Sequence, residues 1–281
     1  MKIAVITDSS ANLSQEYLNQ HTNTFMIPLM IIIDGVQYRD QVEIDANQVY
    51  QKLEASKITT SLPELNDLHS LIQSLANQQY TDIIAINISS GLSGTFNAFR
   101  LVFQEVTNLK ITHYDSKTLA GALGYLVEYA NELIEQGKTP EEIVPLLDIS
   151  RYQNSLAFYT INTLKYLRKG GRIGFVEGTI GDILHVKPVI TVNNQGVYET
   201  LSKGFGLNRS LITMRKMMIE KFDKQLIDFT VHYGNDLEKA KELAERMKAD
   251  LNIRNLTISP LTPVLGIHTG PEMFAYIARL V

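Results

Sequence analysis

The sequence predicts an α/β protein of two lobes, with mainly parallel sheets flanked by helices and smaller antiparallel hairpin elements. Short apolar runs alternate with segments of helical period along most of the chain, several helices open on recognisable caps, and two hairpin signals interrupt the alternation. A length of 281 residues suits two lobes, and 44% hydrophobic against 20% charged residues can build large cores.

The strand candidates, in order, are Lys2–Asp8, Asp82–Ile88, Leu109–Tyr114, Leu156–Ile161, Asp228–Tyr233 and Leu256–Leu261. Thr139-Pro140-Glu141-Glu142 is a capping box with proline at the first helical position. Asn235 is expected to start another helix, with Leu237, Ala240, Ala244, Met247 and Leu251 on its apolar face. Met26–Arg39 reads as a hairpin turning at Asp34-Gly35, and Val186–Leu201 as a second turning near Asn193–Gly196. A polar stretch at Ser150–Asn154 marks the expected boundary between an N-terminal lobe, 1–153, and a C-terminal lobe, 154–281.

Composition excludes several functions. A net charge of −4 supplies no global field for nucleic acid, and the absence of cysteine removes disulfides, thiolate nucleophiles and cysteine–metal sites. Apart from His268, the histidines (His21, His69, His113, His185, His232) show no paired ligand spacing, so no metal is expected. No G-x-G-x-x-G follows the first strand, and Glu132 stands where a Walker A ending in Gly137-Lys138-Thr139 needs glycine. No cofactor is therefore expected. The opening KIAVITD reads as a strand, not a secretory signal, and the apolar run Phe25–Ile33 is too short to span a bilayer. A cytoplasmic protein is expected.

The stretch Ile86–Arg100, INISSGLSGTFNAFR, runs from a strand through a hydroxyl-rich glycine turn into a helix. Such a turn gathers backbone N–H groups and the positive end of a helix around one point, which suits a phosphate or carboxylate; ordinary capping serines would also account for it. A nucleophile elbow is the rival, but Thr95 occupies the fifth position of G-x-S-x-G, where glycine is needed for close packing. Ser93, Asp115 and His268 would follow hydrolase order in such an enzyme. In Thr59–Glu64, Ser61 and Glu64 make a capping box, and the ligand-binding alternative gives Thr60 and Ser61 to a bound group. Gly266–Pro271 suggests a constrained loop presenting His268 beside backbone amides, or a plain turn with an exposed histidine. Lys165–Gly174, KYLRKGGRIG, reads as a basic helix end capped by glycine.

Taken together, Ile6–Ser10, Thr60-Ser61-Leu62-Pro63, Ser89–Thr95, Asp115-Ser116, Leu167–Ile173, Lys187-Pro188 and His268–Pro271 resemble the DegV family of bacterial fatty-acid-binding proteins, almost end to end. The resemblance implies a long-chain fatty acid buried tail-first, its carboxylate held by Thr60, Ser61, Ser93, Gly94, His268 and Thr269. It also implies a non-enzymatic carrier that presents the acid to a separate ATP-dependent fatty acid kinase for acyl phosphate formation, with transient membrane contact for ligand exchange. Ser93 then holds the ligand and does not attack it; the alternatives are a Ser93-dependent esterase or thioesterase, or a carrier of another amphipathic anion. Leu62 departs from the glutamine common in the family and removes a polar contact, while Glu272 brings a charge where glycine is common. Burying a chain of sixteen carbons at about 0.8 kcal/mol per CH₂ contributes on the order of 10 kcal/mol before ordering costs, so the head group need only orient the acid.

Overall fold

The first strand, β1 (Ile3–Asp8), is buried at every position, and so is β6 (Asp82–Asn87). Strands of that kind need cover on both faces, which a parallel sheet between helices provides. The computed structural model, which describes residues 1–174, 176 and 186–281, places them at the centre of a four-stranded parallel sheet. Its edges are β2 (Thr24–Ile27) beside β1 and β7 (Lys110–Asp115) beside β6. Helices α3 (Leu65–Asn77) and α4 (Thr95–Phe103) cover one face through Leu68, Leu75, Phe99 and Val102.

A three-stranded antiparallel sheet projects from this layer. Strands β3 (Met30–Ile33) and β4 (Val36–Arg39) turn at Asp34-Gly35, whose φ values of 49° and 88° suit a tight hairpin turn. Met26 and Ile27 are not part of that hairpin, because they pair with β1. The third strand, β5 (Ile58–Ser61), sets Thr60 opposite Ile31. This pairing overturns the expected Ser61 capping box: Ser61 is held in a strand, and Glu64 precedes α3 without a side-chain cap bond.

The six-stranded sheet follows the order β10-β9-β8-β13-β11-β12. Its members are β8 (Ser155–Ile161), β9 (Val186–Val192), β10 (Tyr198–Phe205), β11 (Ile227–Tyr233), β12 (Ile253–Pro260) and β13 (Met273–Leu280). Only β11 and β12 pair in parallel. The parallel expectation therefore holds in the first sheet and fails in this one. Strand β13 inserts between β8 and β11 antiparallel to both, and β9 runs antiparallel to both β8 and β10. The hairpin expected at Asn193–Gly196 joins β9 to β10. Helices α8 (Leu207–Phe222) and α9 (Leu237–Asp250) pack on one face through Leu211, Met214, Ala244 and Met247. Asp236, one residue past the expected Asn235, caps α9 by accepting from Lys239 N–H at 2.9 Å, and Leu237 is exposed.

Among the described residues, the remaining α-helices are α1 (Gln15–Gln20), α2 (Ala46–Lys52), α5 (Ala120–Glu135), α6 (Pro140–Ile149), α7 (Lys165–Lys169) and α10 (Pro263–Thr269). Thr139 and Glu142 form the expected capping box of α6. A π-helical turn, Ser150–Asn154, leads from α6 into β8. Helix α5 packs against both large sheets, and one continuous apolar core contains Val5, Ile86, Leu123, Ile161 and Ile277. Among the described residues, no helix is long and apolar enough to cross a membrane. His185 lies outside the described residues.

Candidate functional site

The carboxyl ends of β1, β6 and β7 meet in a set of buried polar contacts. Asp8, fully buried, accepts from Asn87 Nδ2 and Ile88 N–H, each at 2.9 Å, and from Ser10 N–H at 3.1 Å. Burial raises its pKa against these hydrogen bonds. Asp8 thereby anchors the start of the loop that carries Ser93. Open parallel sheets commonly offer ligand sites at this end.

Beyond that loop lies a cavity of about 260 Å³, enclosed jointly by the N-terminal sheets and elements of the six-stranded half. Its polar wall consists of Thr60, Ser61, Ser93, Gly94, Arg172 and His268. Leu29, Ile88, Leu92, Leu119, Val264 and Leu265 supply its apolar lining, together with buried Tyr198 and exposed Leu62. Five of the six expected residues thus converge. Thr269 stands apart: it is buried, outside the wall, and its hydroxyl bonds to Leu265 O at 3.4 Å and Gly270 O at 3.3 Å. The expected constrained loop is instead α10, with His268 in its last turn.

His268 Nε2 lies 3.1 Å from Thr60 Oγ1, while buried Nδ1 has no hydrogen-bond partner among the described residues. A buried N–H without an acceptor is costly, so the ring hydrogen belongs on Nε2, donating to Thr60. The Thr60 hydroxyl hydrogen is then free to point at a ligand. Burial, with the Arg172 charge second, pushes the His268 pKa from 6.5 down to about 4. The ring is therefore neutral at pH 7. Because the folded value lies below the unfolded one, its contribution to stability is present above about pH 6.5 and is lost as pH falls through about 4. A carboxylate in the cavity offsets the Arg172 charge and favours the protonated ring, so ring NMR should show a midpoint near 4 without ligand and a higher one with a bound carboxylate. An unmoved midpoint would place the anion elsewhere.

Ser93 Oγ accepts from Thr95 N–H at 3.2 Å and pairs with Thr95 Oγ1 at 2.8 Å. Asp115 faces Lys117 Nζ at 2.7 Å and accepts from Ser90 N–H at 3.1 Å. Although burial opposes it, these bonds hold the Asp115 pKa below its usual range. Serine, histidine and aspartate of the hydrolase alternative thus each bond to a different neighbour.

Arg172, which the sequence places at a glycine-capped helix end, lines the cavity as well. It follows α7 rather than lying in its last turn, and its Nε donates to Leu92 O at 3.4 Å. The signal was its position beyond the glycine pair, where no cap requires a cation. Leu62 packs on Gly94: an added Cβ there would stand 3.3 Å from Leu62 Cδ2. Glu272 turns to the Asn162 side-chain amide. Among the described residues, no group of three His, Cys, Asp or Glu side chains could hold a metal ion.

A family model described as "Uncharacterised protein, DegV family" matches residues 2–280. A DegV domain-containing protein of Clostridium perfringens is 38% identical over 272 residues, covering 97% of this chain and 96% of its own. The crystal structure of DegV, a fatty acid binding protein from Bacillus subtilis, superposes with a TM-score of 0.92 at 28% identity and covers 100% of both chains. A stearic acid-binding protein from Eubacterium ventriosum gives a TM-score of 0.85 at 26% identity, covering 100% of this chain and 98% of its own.

Proposed function

The chain belongs to the DegV family, and on that premise we propose that it binds a long-chain fatty acid and carries it without catalysing a reaction of its own. The observation that carries this reading is the convergence of Thr60, Ser61, Ser93, Gly94 and His268 on one cavity whose remaining lining is mainly apolar. Hydroxyls and amides hold the carboxylate as donors, and charge-assisted hydrogen bonds of this kind are the stronger ones. Arg172 adds a cation beside them. Thr269, behind the wall, acts by closing the end of α10 instead of touching the ligand. The cavity is smaller than the roughly 300–1,000 Å³ usual for ligand pockets, so we assign to it the carboxyl end and the first methylenes.

Presentation of the bound acid to a separate ATP-dependent fatty acid kinase belongs to the same proposal. So do a cytoplasmic location, transient membrane contact during ligand exchange, and division into lobes at 153 and 154. A neutral His268 and a Ser93 hydroxyl bonded to Thr95 suit a carrier, which must offer the carboxyl oxygen and leave it unattacked.

Native purification followed by denaturation and mass spectrometry of the released lipid tests the reading. About one long-chain fatty acid per chain is the expected result. A phosphorylated amphiphile would favour the other-anion alternative, and no lipid together with fluorophosphonate labelling of Ser93 would favour the hydrolase.

A further inference from the structure

We infer that Ser89 and the tip of the β9–β10 hairpin form a latch that positions the Ser93 loop for the carboxyl end of the ligand. The inference rests on the cavity reading above and adds a residue outside the cavity wall. Ser89 is fully buried, and all its polar atoms are engaged. Its amide donates to Thr118 O at 2.9 Å, and its carbonyl accepts from Leu92 N–H and Ser93 N–H, each at 3.0 Å. Its hydroxyl accepts from Gly91 N–H at 3.1 Å and donates to Gly196 O at 2.6 Å.

An ordinary strand-to-helix turn needs only the bonds inside the loop. The bond to Gly196 crosses to the other half of the molecule, and it requires two backbones in contact. A Cβ added to Gly91 would stand 2.5 Å from Gly196 O, and one added to Gly196, whose φ is +80°, would stand 2.1 Å from Ser89 Oγ. Only glycine meets both demands at Gly196. Two residues further along the hairpin, Tyr198 lines the cavity. One hydrogen bond therefore ties the Ser93 loop to the hairpin that carries the cavity residue Tyr198. Arg151 reinforces the junction, donating to Lys117 O at 2.8 Å and to Val192 O at 3.1 Å.

Tetradecanoic acid and tetradecan-1-ol share a tail and differ at the head, so their affinities separate positioning of the loop from general stability. Ser93→Ala should weaken the acid and spare the alcohol; if it does not, the head-group reading fails and the latch fails with it. Given that separation, Ser89→Ala should weaken the acid about tenfold and leave the alcohol unchanged. Gly91→Ala, which pushes on the same contact from the loop side, should do likewise. Equal losses for both ligands, or no loss, would overturn the latch while leaving the head-group reading intact. Amide hydrogen exchange in the unaltered protein covers the case of variants that fail to fold. The acid, and not the alcohol, should slow exchange at Gly91 and Gly196, neither of which lines the cavity. Exchange at Gly196 that ignores the acid would also overturn the inference.

Discussion

On the proposed reading, Gly170→Ala is expected to lower the affinity for a long-chain fatty acid by about ten- to a hundredfold, and to cost about 1–3 kcal/mol of stability as the buried imidazole is displaced. Gly170 follows α7 with φ −81° and ψ −9°, a conformation alanine adopts readily, so the backbone itself offers no objection. The space does. An added Cβ would stand 2.1 Å from His268 Nδ1 and 2.7 Å from its Cε1, so the imidazole must move. Moving it breaks the 3.1 Å contact with Thr60 and leaves the Thr60 hydroxyl free to rotate away from the ligand. A hydrogen bond to a charged group is worth roughly 1.5–3 kcal/mol, which sets the size of the loss. Titration calorimetry with the acid, beside a melting curve, checks both halves of the expectation. Unchanged affinity would remove His268 from the head-group site.

Arg279→Met should destabilise the fold by about 3–5 kcal/mol, the usual cost of removing one partner from a buried charge network. Arg279, at 6% exposure, is the pin between α5 and the six-stranded sheet. It donates to Asp228 Oδ2 at 3.1 Å, to Glu132 Oε1 at 2.6 Å and to Tyr125 O at 3.2 Å, and it lies 3.4 Å from Glu128 Oε2. Asp228 keeps a second partner, Arg254, at 2.6 Å. Among the described residues Glu128 has no second ion pair: burial already raises its pKa to about 7, Arg279 is the first force holding it down, and Arg254 is a lesser one. Without Arg279 that carboxyl must take up a proton or stay charged in a poor environment. The melting temperature should fall by on the order of 10 °C. Lys241→Met, which removes an exposed pair with Glu238, should leave the melting curve unchanged and serves as the control. An equally small effect for Arg279→Met would mean that α5 is held by apolar packing alone.

Features set by neighbours along the chain were legible in the sequence. The all-apolar β1 and β6 cores, the α6 capping box and the turns at Asp34-Gly35 and Asn193–Gly196 depend on residues a few positions apart, and their signals are local. The loops around the cavity were legible for another reason, because the order of weak motifs matched a family, and five of six carried-over residues meet at one cavity. Pairing over long separations was not legible. Strand β13 joins β8 and β11 from the far end of the chain, and MFAYIARL by itself does not say which strands will take it. For the same reason β5 turned an apparent helix cap into a strand, since β3 was there to pair with it. Arg172 and Ser89 owe their places to contacts across the two halves, with Leu92 O and Gly196 O respectively. Local propensity chose the elements and the donor types; only the packing of one sheet against the other decided which donors share a cavity, because that packing depends on contacts between residues far apart in the chain.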